Sequence, residues 1–96
     1  IARNHLKNGV TLLDKNIYIE DNVKIGKDTV IYPDTHILGN TIIGKNVMVG
    51  PNTVIKDAII KDSVIIKGFS YMEGLVIEEG TVVDLFTVNL RHINKT

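Results

Sequence analysis

No cysteine occurs in the 96 residues, so disulfide frameworks and thiolate metal sites are excluded. Net charge is missing as well. Eleven basic and 11 acidic residues cancel and are spread along the chain, leaving no electrostatic footprint for nucleic acid or an anionic membrane. No apolar run approaches the roughly 20 residues of a membrane span, and the opening residues, Ile1 to Gly9, lack the apolar core of a signal peptide. A soluble, cytoplasmic protein is expected, with neither nucleic acid nor membrane as a partner. The length suits one small domain and falls short of the usual two-domain enzyme. The chain opens on Ile1 rather than Met, and it is expected to be part of a longer polypeptide. Strong helix formers are scarce: Ala and Leu together supply nine residues, against 26 for Ile and Val. Because β-branched side chains lose rotamer freedom in a helix, the chain reads as almost all β.

What is present is a period of six. Ile25, Ile31, Ile37, Ile43 and Val49 recur at that spacing, which neither a helix at 3.6 residues nor a plain strand at two yields as its own repeat. Counting from Ile19, the third residue after each aliphatic position is Asn22, Asp28, Asp34, Asn40, Asn46 and Asn52. Asn and Asp tolerate left-handed backbone, so each should mark a corner, relaxed further by Gly26, Gly44 and Gly50. The fourth residue is Val23, Thr29, Thr35, Thr41, Val47 and Thr53, small or branched enough to point inward beside the next aliphatic residue. Each unit is a short strand plus a turn.

Three units return the chain above itself after 18 residues, as one coil of a triangular prism whose parallel strands stack about 4.8 Å apart. Four coils are expected over residues 19–96, with residues 1–18 as linker, tail and cap. The last two coils are one residue shorter, and the deletion falls in "IKDAI" and "MEGLV". The inward positions are then Ile19, Ile25, Ile31, Ile37, Ile43, Val49, Ile55, Ile60, Ile66, Met72, Ile77 and Val83. Outward, Val30, Met48, Ile65 and Val82 share one phase and should form a continuous apolar stripe, which on a small prism reads as an oligomer interface. The column of His36, Val54, Tyr71 and Val88 is mixed.

These repeats resemble the hexapeptide-repeat proteins, and that resemblance implies a left-handed parallel β-helix. "NGVTLLD" followed by "YIEDNVKIGKDTVIYPDTHILGNTIIGKNVMVGPNTVIKDAI" is similar to the C-terminal domain of the bifunctional N-acetylglucosamine-1-phosphate uridylyltransferase / glucosamine-1-phosphate N-acetyltransferases. Asn8, Gly9, Val10, Thr11, Asp14, Tyr18, Ile19, Ile25, Gly26, Asp28, Thr29, Pro33, Gly50, Pro51, Asn52 and Thr53 carry the likeness. The resemblance implies a homotrimer that acetylates glucosamine 1-phosphate with acetyl-coenzyme A on the route to UDP-N-acetylglucosamine and cell-wall precursors. Mg²⁺ would serve only a nucleotidyltransferase domain absent from this chain, and no cofactor is expected for these residues alone. Further along, the family carries an "IGPFAxLRP" segment whose Arg contacts the sugar phosphate. Here "VVDLFTVNLRH" keeps Phe86 and Arg91, with Asp84 and Leu85 in place of Gly-Pro and His92 in place of the final Pro. Arg91 falls one residue late when Phe86 is aligned. Arg91 is the substrate-binding residue that the resemblance implies. The family's catalytic His and its acetyl-coenzyme A contacts lie beyond Thr96 in this alignment.

Acetyl transfer needs a base for the amine, donors for the carbonyl oxyanion and cationic groups for phosphate. His36 lies next to an inward residue and so points outward, where a solvated or interfacial role is expected; His5 carries no signal. His92 beside Arg91 could imitate a base and phosphate pair, but the repeat has lapsed there, and no catalytic residue is assigned. Three convergent His for zinc are not available from His5, His36 and His92, which are scattered along the prism. Outward Thr ladders for ice binding are not available either, since the Thr residues face inward. The alternatives to an acetyltransferase portion are a non-catalytic trimerisation module or the hexapeptide domain of another sugar-nucleotide pyrophosphorylase.

Overall fold

The fold is given by a computed structural model that describes residues 9–13 and 16–90. In chain order the first strands are β1 Thr11–Leu12, β2 Ile17–Ile19, β3 Lys24–Ile25, β4 Val30–Ile31 and β5 Thr35–Leu38. They continue as β6 Ile42–Ile43, β7 Met48–Val49, β8 Val54–Lys56, β9 Ile59–Ile60 and β10 Ile65–Ile66. The last are β11 Tyr71–Glu73, β12 Val76–Ile77, β13 Val82–Val83 and β14 Val88–Leu90. Among the described residues no helix is long and apolar enough to cross a membrane.

Every third strand lies in the same sheet. The first face is β1-β4-β7-β10-β13, the second β2-β5-β8-β11-β14 and the third β3-β6-β9-β12, all paired in parallel. The chain is thus a three-faced solenoid of about five turns. Ile19 pairs with Ile37 and Ile25 with Ile43, the expected 18-residue step. Ile43 then pairs with Ile60 and Ile55 with Met72, a step of 17, so the deletions fall where the sequence placed them.

Eleven of the 12 expected inward residues are buried, and Val83, in the last described strand of its sheet, is half-buried. Each buried aliphatic side chain contributes about 1.5–3 kcal/mol. The inward threonines solve a second problem, since a hydroxyl in an apolar core needs a partner. Thr29 Oγ1 donates to the Gly44 carbonyl at 2.8 Å and accepts from Val47 N–H at 3.2 Å, while Thr41 Oγ1 donates to the Leu38 carbonyl at 2.7 Å. Threonine therefore joins successive coils from inside.

Three expectations need correction. The ladder begins before residue 19: β1 and β2 belong to the solenoid, so residues 11–12 and 17–18 extend the helix rather than serve as linker. Leu12 pairs with Ile31 at a step of 19 while Ile19 pairs with Ile37 at 18, and that extra residue hid the repeat. Next, the corner of the first unit in a coil falls one residue early. Positive φ occurs at Gly39, Asp57 and Gly74, not at Asn22 or Asn40, whereas Asp28, Asp34, Asn46 and Asn52 hold the expected left-handed backbone. Asn40 is therefore dispensable to the turn, which is why the two later coils can omit its equivalent. Lastly, Gly26, Gly44 and Gly50 have no positive φ. They are small because coils approach closely: a Cβ on Gly26 would lie 2.6 Å from the carbonyl oxygen of Gly44.

Candidate functional site

The outward side chains divide into three columns, one per face. On the first face Thr11, Val30, Met48, Ile65 and Val82 are directly paired in one ladder, so the expected apolar stripe exists as a geometric column. Val30 and Met48 are half-buried, while Ile65 and Val82 are 40% and 52% exposed. On the second face Tyr18, His36, Val54, Tyr71 and Val88 stack as the mixed column. His36 is exposed there, with the Tyr18 ring edge-on at 6.0 Å. Tyr71 donates its hydroxyl to Glu73 Oε1 at 3.3 Å.

The third face holds a column that the sequence reading missed. Lys24, Ile42, Ile59 and Val76 are paired in register, and Ile42, Ile59 and Val76 are each exposed. Its signal was available as apolar residues at 42, 59 and 76, a spacing of 17.

Where the second and third faces meet, a cleft of about 370 Å³ is bounded by Tyr18, Glu20, Asp21, Asn22 and Asn40. Glu20 is committed to structure there, accepting from Gly39 N–H at 2.7 Å. Asp57 and Asp62 play the same part higher up, accepting from Asn40 N–H at 2.9 Å and from Lys45 N–H at 2.8 Å. At the other end, a mostly apolar recess of about 270 Å³ lies over Met72, Ile77 and Val83, with Thr87 and Asn89 at its margin. Asn89 pairs with Met72, so it occupies an inward position in the last described strand. Among the described residues no three His, Cys, Asp or Glu side chains stand together as a metal-binding group.

Arg91, the implied phosphate contact, and His5 and His92 lie outside the described residues. Phe86 is described, and Asp84 beside it forms an ion pair with Lys67 at 3.3 Å.

Residues 22–57 match the family model described as bacterial transferase hexapeptide, six repeats. This segment is similar to the bacterial transferase hexapeptide repeats. It spans β3 to β8, the stretch in which the period of six is least interrupted, and such repeats wind as a left-handed β-helix. The fold class is therefore a left-handed parallel β-helix. Solved structures also resemble the chain, among them a hexapeptide transferase family protein from Anaplasma phagocytophilum. That match is 18% identical, covers 83% of this chain and 74% of the other, and has a TM-score of 0.31. No curated protein matches the chain.

Proposed function

We propose that the chain forms part of a sugar-phosphate N-acetyltransferase domain, in which acetyl-coenzyme A acetylates glucosamine 1-phosphate within a cytoplasmic homotrimer. The transferase hexapeptide match over residues 22–57 carries this reading, and the likeness of residues 3 to about 60 to the bifunctional uridylyltransferase/acetyltransferases gives it its substrates. In the complete enzyme these coils supply the scaffold and, through Val30, Met48, Ile65 and Val82, the subunit contact. Arg91 binds the sugar phosphate, since a planar guanidinium suits a phosphate oxygen pair. The base and the acyl-donor contacts come from other parts of the complete domain. The product would feed UDP-N-acetylglucosamine and cell-wall synthesis, with Mg²⁺ used only by a separate uridylyltransferase domain.

A second reading, a trimerisation module without chemistry, is favoured by the two outward apolar columns. Thiol release from acetyl-coenzyme A with glucosamine 1-phosphate separates the two. The 96-residue chain should show no turnover above background, whereas the polypeptide carrying its native flanking sequence should turn over, and Arg91→Ala in that longer form should raise KM for the sugar phosphate. Inactivity of both forms would favour the module. Turnover by the 96 residues that His92→Ala abolishes would make His92 the base; loss of a general base costs about 10²–10⁴ in rate.

A further inference from the structure

Eight described non-glycine residues have positive φ, and six of them are Asp, Asn or Ser, whose short polar side chains tolerate it. The other two are Phe69 at 53° and Phe86 at 63°. Both stand at the corner between the first and second faces, at the position that Asp34 and Asn52 fill in the lower coils. The backbone there repeats itself: Asn52 N–H donates to the Pro33 carbonyl, Phe69 N–H to Pro51 and Phe86 N–H to Gly68. A bulky side chain in this conformation is strained, and burial does not compensate, since Phe69 is 47% and Phe86 73% exposed. Their rings meet only side by side, 5.7 Å apart and tilted by 45°. Twice, then, the sequence sets an exposed phenylalanine where its own lower coils use a cheaper residue.

The same two coils carry the barest part of the apolar column on the first face, Ile65 and Val82. Laid flat-to-flat, adjacent faces of three-sided prisms close a ring of six, and a face laid on itself makes a two-fold pair. A ring of three closes when the corner of one prism rests on a face of the next. Rotation about the ring axis keeps every coil at its own height. We propose that Phe69 and Phe86 of each copy pack against Ile65 and Val82 of the next, head to tail around a three-membered ring. This rests on the homotrimer reading above and names its contact. A second copy is the occupant because it repeats at the same rung spacing, about 4.8 Å, and so keeps both phenylalanines in step with both aliphatic residues. The Lys67 and Asp84 ion pair beside the corner leaves a neutral rim, which suits a self-contact. Ile42, Ile59 and Val76, on the third face, lie outside it.

The test is sedimentation equilibrium of the full chain and of the Phe69→Asn, Phe86→Asn double variant. Asparagine already serves this corner at Asn52, so the variant should keep its circular dichroism and unfold no earlier than the wild-type monomer. Its trimer dissociation constant should rise ~10-fold or more, while Ile59→Lys leaves the trimer intact. The cysteine-free background allows a second measurement. Chains carrying Phe86→Cys mixed with chains carrying Val82→Cys should form disulfide-linked pairs on oxidation, and neither should do so alone. A double variant that stays trimeric, or mixed chains that do not link in a wild-type-like trimer, overturns the contact and leaves the trimer standing. A monomeric wild type overturns both.

Discussion

Ile43→Asp should unfold the protein or lower its thermal midpoint by well over 10 °C. Ile43 is 2% exposed on β6 and sits in register between Ile25 below and Ile60 above, so its side chain has aliphatic neighbours along the prism axis. An aspartate there buries a carboxylate with no cation, a change that costs more than about 3 kcal/mol. For a chain of this length each kcal/mol moves the midpoint by about 4–8 °C. Ile42→Asp is the paired control. Ile42 is 46% exposed on the third face, so the same charge one residue away should alter stability by no more than about 0.5 kcal/mol. A lower midpoint for Ile42→Asp than for Ile43→Asp would mean that strand β6 has the wrong side inward.

Gly50→Ala should cost about 1–3 kcal/mol despite adding a single methyl group. The new Cβ would fall against the Lys67 carbonyl group and lie 2.7 Å from the Ile66 carbonyl oxygen, which is backbone of the next coil and cannot rotate aside. Relief requires the coils to separate, which weakens the 2.7 Å hydrogen bond from Gly50 N–H to the Ile66 carbonyl. The 3.2 Å bond from Thr35 Oγ1 to the Gly50 carbonyl would be disturbed too. Gly80→Ala makes the comparison instructive. Gly80 has φ 77° with nothing near its absent Cβ, so its substitution carries only the left-handed penalty of about 1–2 kcal/mol. Thermal or urea unfolding of the two variants should rank Gly50→Ala at least as destabilised as Gly80→Ala, with no gain in stability at either position.

The contrast between these glycines shows what a sequence can and cannot carry. The inward column was legible because a narrow prism admits one residue type per position, and Ile37, Ile43 and Val49 obey it without exception. The deletions after Ile55 and Met72 were legible for the same reason: the register resumed at Ile60 and Ile77. Close approach between coils leaves no periodic signature of its own, so Gly26, Gly44 and Gly50 looked like turn residues until the neighbouring backbone was placed beside them. Gly39 and Asn40 were likewise ambiguous, since both residue types suit left-handed backbone and only one of them adopts it. The start of the helix was obscured by the extra residue between Leu12 and Ile19.

The outer surface was less legible. Four residues of the first face were aligned correctly, yet Ile42, Ile59 and Val76 on the third face form an equally regular column. Solvent-facing positions tolerate many side chains, so a pattern there must be read across coils rather than along the chain. Phe69 and Phe86 show this most clearly. Each is unremarkable in its own hexapeptide, and only the stacking of corners brings the two rings to 5.7 Å.

The register decides which side chains face the axis, the corners and the surface, and amide hydrogen exchange read residue by residue is its most direct test. Amides that donate between coils, such as Gly26 to Ile43, Gly44 to Ile60, Tyr32 to Val49 and Gly50 to Ile66, should be protected together near the global unfolding free energy. Protection should recur along the chain at the 17- and 18-residue steps of the ladders. Protection at a different phase, or protected runs with the continuous pattern of a helix, would contradict the three-faced β-helix.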